Sequence, residues 1–402
     1  MHASTGEARD ALLLLAGPLP PPLTGQAVAF GMLVDVLREC GVPHRVVDIA
    51  PRAAETSTPR RALQYAAILA RFARAVAAPR GTVYLTLAQS RRGFARDLAM
   101  IRLARLFGHR VVAHLHGGNY DGFYAAQPPA LRRLIGATLR RCERILVLGE
   151  GLRAMFGFDR RVAARVHVVP NGLPVPAPAA RQQRLPAPGE GPVRLVLLSN
   201  LIESKGWLDV LDALALLRGR FGPGRVRCDF YGEFMANPAD DRRVRGATHA
   251  RELFGRVVAE RGLGADVAWH GTVRGEAKWR ALAGAHLFVL PTGYSNEGQP
   301  VSIIEAMAYG AVVVSTRYRA IPDLVQDGVT GTLVPYGDPA ALAAAVAELV
   351  ENPARWAAMS RAAQDRFAAR FTREAHLAAL LPHLLRPGEA ALPVPSGDAV
   401  GV

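Results

Sequence analysis

Lysine is almost missing from this 402-residue chain: of its 49 Lys plus Arg residues, only Lys205 and Lys278 are lysines. Cysteine is nearly as sparse. Cys40, Cys142 and Cys228 form an odd, widely spaced set, which excludes a disulfide framework and a Cys-based zinc site and points to a reducing, cytoplasmic compartment. No stretch reaches 18 uninterrupted apolar residues, so no membrane-crossing helix is expected. The charged first ten residues and the short apolar run 11–17, ended by Pro18, fit neither a signal peptide nor an anchor. Aromatic residues make up 7% of the chain and form no stacking pattern, and no basic recognition helix stands out. Nucleic-acid binding is therefore not expected, despite a net charge of +15.

What the chain does contain is apolar residues, at 50%, and a length that predicts two or three domains. Its charge is uneven. Residues 1–180 hold 24 arginines against 11 acids, whereas residues 181–402 are close to neutral. Drift toward arginine explains the missing lysines but not the concentration of charge in one half. That asymmetry points to an anionic partner for the first half.

Short Val/Leu-rich runs alternate with amphipathic stretches. Strands are expected at 11–16, 45–49, 82–87, 110–116, 144–148 and 166–169, with helices at 27–40, 61–78, 91–107 and 129–141. Apolar runs without alternation suit strands buried on both faces of a parallel sheet. The order β-α-β-α predicts a doubly wound α/β domain over 1–172. Residues 173–193 are a Pro-rich linker, and the alternation restarts over 194–370. A helix at 371–386 that packs back on the first domain and a disordered tail at 387–402 complete the expectation. Two such halves would face each other across a cleft, with ligands beyond the strand C-terminal ends.

The most informative segment is Asn296 to Gly310, Asn-Glu-Gly-Gln-Pro-Val-Ser-Ile-Ile-Glu-Ala-Met-Ala-Tyr-Gly. It reads as a loop, a proline entering a helix, and a glycine C-cap. The helix start offers backbone N–H groups and a positive dipole end suited to phosphate. Gly298 lets the backbone approach a ligand closely. Glu297 and Glu305 are eight positions apart, about 12 Å if both were helical. A retaining glycosidase pair needs roughly 5–5.5 Å, so separate roles are expected.

In this segment the chain resembles the retaining glycosyltransferases of family 4, hexosyltransferases of the GT-B fold with two Rossmann-like domains. The resemblance is strong over 194–350 and looser over 10–172. It implies that Glu297 lies beside the donor sugar, that Glu305 holds the nucleotide ribose, and that N–H groups around Gln299, Pro300, Val301 and Ser302 hold the diphosphate. Leu198 to Gly206 is similar to the family's donor-phosphate loop, usually Gly-Arg-x4-Lys-Gly. Lys205 matches its lysine. Asn200 replaces its arginine, and Arg317 and Arg319 are the expected substitutes for the missing charge. His116, in His114-Leu-His-Gly-Gly-Asn119, aligns with a histidine that contacts the sugar, whereas His114 reads as strand core. Gly25 matches one glycine of the family's first loop. Gly232 and Gly271 fall in segments that resemble the family's loops bordering the nucleotide base.

The resemblance implies a nucleoside-diphosphate sugar (UDP or GDP) as donor and no required cofactor or metal. It implies a glycan or lipid-linked acceptor in bacterial surface-polysaccharide synthesis, and a cytoplasmic protein whose basic half docks on the inner face of an anionic membrane. A nucleotide-sugar epimerase lacks the Glu-x7-Glu segment. A non-catalytic scaffold is the alternative that Asn200 raises.

Overall fold

The computed structural model describes residues 13–21, 24–50, 58–174, 188–189 and 191–385. The expected tail and most of the expected linker lie outside them. The described residues form two compact units: those up to Pro174 together with the segment from Arg373, and those between.

The first unit is a six-stranded parallel sheet in the order β2-β1-β3-β4-β5-β6. Its strands are β1 (Leu13–Gly17), β2 (His44–Asp48), β3 (Thr82–Thr86), β4 (Arg110–Leu115), β5 (Arg144–Val147) and β6 (Val166–Val168). The helices between them are α1 (Gly25–Glu39), α2 (Thr58–Val76), α3 (Arg91–Leu106), α4 (Tyr120–Ala125), α5 (Pro129–Leu139) and α6 (Arg160–Ala163). Every residue of β1 and β3 is buried, because helices cover both faces of the sheet. The helices start where short polar side chains can bond orphan N–H groups: Thr24 caps α1 and Ser90 caps α3.

The second unit repeats the plan in the order β12-β11-β10-β7-β8-β9. Its strands are β7 (Val193–Leu198), β8 (Val226–Tyr231), β9 (Val267–Trp269), β10 (Leu287–Leu290), β11 (Val312–Thr316) and β12 (Gly331–Val334). The helices are α7 (Trp207–Phe221), α8 (Ala247–Glu260), α9 (Gly275–Ala283), α10 (Val301–Ala308), α11 (Ile321–Leu324), α12 (Pro339–Glu351) and α13 (Pro353–Arg370). The expected doubly wound α/β class is what the structure holds. Among the described residues no helix is long and apolar enough to cross a membrane.

Three expectations need adjustment. The second sheet begins at Val193, one residue inside the expected linker, and β12 was not foreseen. β4 ends at Leu115, so His116 stands in the loop beyond it. The helical spacing of Tyr65, Ile68, Leu69 and Phe72 predicts one apolar face on α2, and of these Ile68 and Phe72 are buried while Tyr65 and Leu69 are half-buried. Val76 continues this arc into the core, whereas Leu63, 70% exposed, lies on the opposite, arginine-bearing side of the helix.

The last helix, α14 (Arg373–Leu384), belongs to the first unit. Leu377, Leu380, Leu381 and Leu384 join a core with Leu13, Leu15, Phe30 and Tyr84. Polar contacts set its register: His376 Nδ1 donates to the Pro170 carbonyl at 2.6 Å, and Arg144 Nη1 donates to His383 Nδ1 at 2.6 Å. Accepting from arginine requires His383 to be neutral. Burial and the nearby Arg144 bring its pKa down to about 4, and burial lowers that of His376. A histidine that is harder to protonate when folded contributes stability that is present above its unfolded pKa of about 6.5 and is lost as pH falls toward the folded value. We therefore expect Tm to drop by about 5 °C or more between pH 7 and pH 4.5. The double variant His376→Gln, His383→Gln should show a shallower slope in thermal melts; an unchanged slope would rule these histidines out as the cause.

Candidate active site

Beyond the C-terminal ends of β7 and β10, two loops are tied together. Gly206 makes this possible. Its φ of +81° is strained for other residues, and a Cβ there would sit 2.3 Å from the Pro291 carbonyl oxygen. The neighbouring Lys205 reaches Glu297: Nζ donates to Oε2 at 2.7 Å, and the two side chains are 13% and 7% exposed. Thr292 Oγ1 donates to the same carboxylate oxygen at 3.0 Å, and Gly293 N–H donates to the Ser204 carbonyl at 2.7 Å. Lys205 Nζ also lies 4.9 Å from the centroid of the Tyr294 ring. The lysine of one loop and the glutamate of the other thus form one buried unit.

Glu297 is not helical. α10 starts at Val301, after buried Gly298, Gln299 and Pro300. No side chain caps that start, which leaves the first-turn N–H groups around Val301 and Ser302 facing outward along the axis. Glu305 sits in the next turn, 7% exposed, and accepts from Lys278 Nζ of α9 at 2.7 Å. Burial raises its pKa, and Lys278 opposes the rise. Lys278 also lies 4.0 Å from the centroid of the Trp279 ring. Lys278 and Thr292 were missed as site residues by sequence reasoning. The signal for Lys278 was present: in a chain that uses arginine almost everywhere, both lysines are bonded to the two glutamates of one motif.

The remaining expected residues fall as follows. Asn200 is exposed at the end of β7. Arg317, also exposed, is engaged with Asp327, which weakens it as a stand-in for a missing phosphate cation. Arg319 adopts a left-handed φ of +50°, unusual for a non-glycine residue. Gly232, with φ +132°, packs its Cα where a Cβ would lie 1.9 Å from the Ser199 oxygen, and its N–H donates to the Gly271 carbonyl at 2.8 Å. Tyr231 and His270 stack beside them, with centroids 4.7 Å apart. In the first unit, Gly25 opens α1 on an exposed turn. His114 is wholly buried and bonded to the Tyr84 hydroxyl at 2.8 Å. The His116 ring lies against it, tilted by 35° with centroids 4.1 Å apart, and neither of its ring nitrogens has a partner among the described residues. Burial lowers its pKa to about 3, so it is a neutral hydrogen-bonding group at physiological pH.

Two six-stranded parallel-sheet units of this kind are the architecture of the GT-B fold. Solved structures share the fold: HepE from Anabaena, in complex with UDP and glucose, superposes with a TM-score of 0.66 over 91% of this chain and 97% of that one, at 18% identity. Residues 192–352 match the model of the glycosyl transferases group 1 family. Those residues carry a glycosyl transferases group 1 domain, and the chain is a glycosyltransferase. The GDP-mannose-dependent alpha-(1-6)-phosphatidylinositol monomannoside mannosyltransferase of Mycolicibacterium smegmatis is 29% identical over 306 residues, which span 72% of this chain and 75% of the relative. The amylovoran biosynthesis glycosyltransferase AmsK of Erwinia amylovora is 30% identical over 167 residues, covering 40% and 37% of the two chains.

Proposed function

We propose that this glycosyltransferase moves a hexose from a nucleoside-diphosphate sugar, UDP- or GDP-linked, to a glycan or lipid-linked acceptor with retained configuration, in bacterial surface-glycan synthesis. The observation that carries the reading is the buried Lys205–Glu297 pair beside the uncapped start of α10. Breaking a glycosyl–phosphate bond builds negative charge on the departing diphosphate. Lys205 and the N–H groups at Val301 and Ser302 supply a preorganised positive field for it, so no metal is needed for that step. Glu297, held by Lys205 and Thr292, faces the sugar. Glu305, held by Lys278, accepts the ribose hydroxyls. His116, in the first unit, is a neutral ring able to bond a hydroxyl.

Thermal shift against UDP-, GDP- and ADP-sugars, followed by assay of nucleotide release, tests this. A donor at 100 times its Kd adds about 2.7 kcal/mol, which amounts to roughly 5–10 °C in Tm. Silence from the whole panel would overturn the reading.

The acceptor reading adds a membrane. Arg60, Arg71 and Arg74 are exposed on α2 beside Leu63, a basic face with an apolar element that suits an anionic surface. Each basic residue near such a surface contributes about 1 kcal/mol. In liposome flotation, binding should require anionic lipid and fade as salt rises to about 0.5 M. Equal recovery with neutral vesicles would leave a soluble acceptor as the better reading.

A further inference from the structure

The first unit contains a second cluster of charge, remote from the loop that carries His116. A cavity of about 510 Å³ is lined by Arg105, Arg140, Arg141, Glu143 and Arg165. Arg105 comes from the last turn of α3, Arg140 caps the C-terminal end of α5, Arg141 and Glu143 lie in the turn into β5, and Arg165 immediately precedes β6. All of these positions are at the end of the sheet where β4, β5 and β6 begin. His116 follows the opposite end of β4, about 20 Å away along the strand.

Helix C-termini attract cations, and part of this clustering is capping. Arg165 Nη1 donates to the carbonyls of Arg140 and Cys142, at 2.6 and 2.5 Å, and Arg105 Nη1 to that of His109 at 3.0 Å. Arg140 Nη1 donates to Asp159 at 2.5 Å. Each of these bonds uses Nη1 of its guanidinium and leaves Nε and Nη2 as further donors. The guanidinium of Arg141 has no partner among the described residues. The one acid of the lining, Glu143, is engaged by Arg110 at 3.1 Å. Four arginines therefore line one hollow whose single lining carboxylate is bonded to Arg110, and of the four only Arg140 is paired with an acid among the described residues, Asp159. Backbone bonds account for where Arg105 and Arg165 sit and the Asp159 ion pair for Arg140, but neither accounts for Arg141 or for the hollow between them.

We propose that this cavity is an anion site for a phosphate group, separate from the donor site of the second unit. Planar guanidinium forks match the oxygens of phosphate in a bidentate way, and a dianion relieves the mutual repulsion of the arginines. The phosphate comes either free or as the head group of an anionic lipid, and the chemistry of recognition is the same.

The test uses the full chain and the variant Arg141→Glu, which removes no internal bond. Arg256→Glu, on the exposed face of α8, carries the same charge change as a control. Isothermal titration with inorganic phosphate and with pyrophosphate at 0.15 M salt is read beside sedimentation with phosphatidylglycerol and phosphatidylcholine vesicles. The expected result is saturable binding that Arg141→Glu weakens by about tenfold or more and Arg256→Glu leaves in place. Dependence on Arg141 in the titration identifies a free phosphate. Dependence seen only with phosphatidylglycerol vesicles identifies a head group. Binding that is indifferent to Arg141→Glu in both arms, or absent from both, overturns the proposal. Binding of the nucleoside diphosphate to each variant, which rests on other residues, keeps this outcome distinct from failure of the donor reading.

Discussion

Lys205→Ala is expected to lower turnover about a hundredfold or more, because it removes a preorganised charge from the departing diphosphate. The structure adds a second effect. Lys205 is the cation bonded to Glu297, whose side chain is 7% exposed. Removing one partner of a buried pair strands the other and costs on the order of 3–5 kcal/mol. Part of this will appear as a lower Tm, so activity must be compared at temperatures where both proteins are folded. The double variant Lys205→Ala, Glu297→Gln separates the effects. Neutralising the stranded carboxylate should restore most of the lost Tm and little of the lost turnover. Turnover within about threefold of the parent would show that the leaving-group charge is carried elsewhere, with Arg319 the first residue to examine because Arg317 already holds Asp327.

Glu305→Ala should weaken binding of the free nucleoside diphosphate by about tenfold or more, as expected for losing a carboxylate that accepts hydroxyl hydrogen bonds at roughly 1.5–3 kcal/mol each. Calorimetry measures it directly, and unchanged affinity would remove Glu305 from the site. The ion pair gives the position a pH signature. Burial raises the pKa of Glu305 while Lys278 pulls it back. The carboxylate form, which accepts the hydroxyls, is therefore lost at a higher pH than for an exposed glutamate as the solution is acidified. Affinity should decline on acidification in the parent, and Glu305→Gln should flatten that dependence. Lys278→Met should move the decline to higher pH, since desolvation would then act unopposed.

Much of the fold was legible because its signals are local. Uninterrupted apolar runs such as Leu-Leu-Leu-Ala-Gly in β1 mark strands buried on both faces, and their alternation with amphipathic helices implies parallel crossovers. The helix start after Pro300 and the left-handed Gly310, with φ +76°, could likewise be read from residue type and order. Where local reading slipped, as on α2, the cause was tertiary. How deeply each part of an apolar arc is buried depends on the layers packed over it, and Tyr65 and Leu69 stay half-buried while Ile68 and Phe72 are enclosed.

The sequence by itself determined the doubly wound class, the loop-and-helix segment carrying Glu297 and Glu305, and the excess of positive charge in the first half. Only the tertiary structure decided the partners. Lys205 meets Glu297 across 92 positions and Lys278 meets Glu305 across 27. Arg105, Arg140, Arg141 and Arg165 share a cavity because α3, α5 and β6 come together at one end of the sheet. The physical reason is the range of the forces involved. Backbone preference and hydrophobic periodicity act over a few residues and leave a trace in their order. A salt bridge or a guanidinium cluster depends on where crossovers bring distant loops, which no short-range pattern encodes.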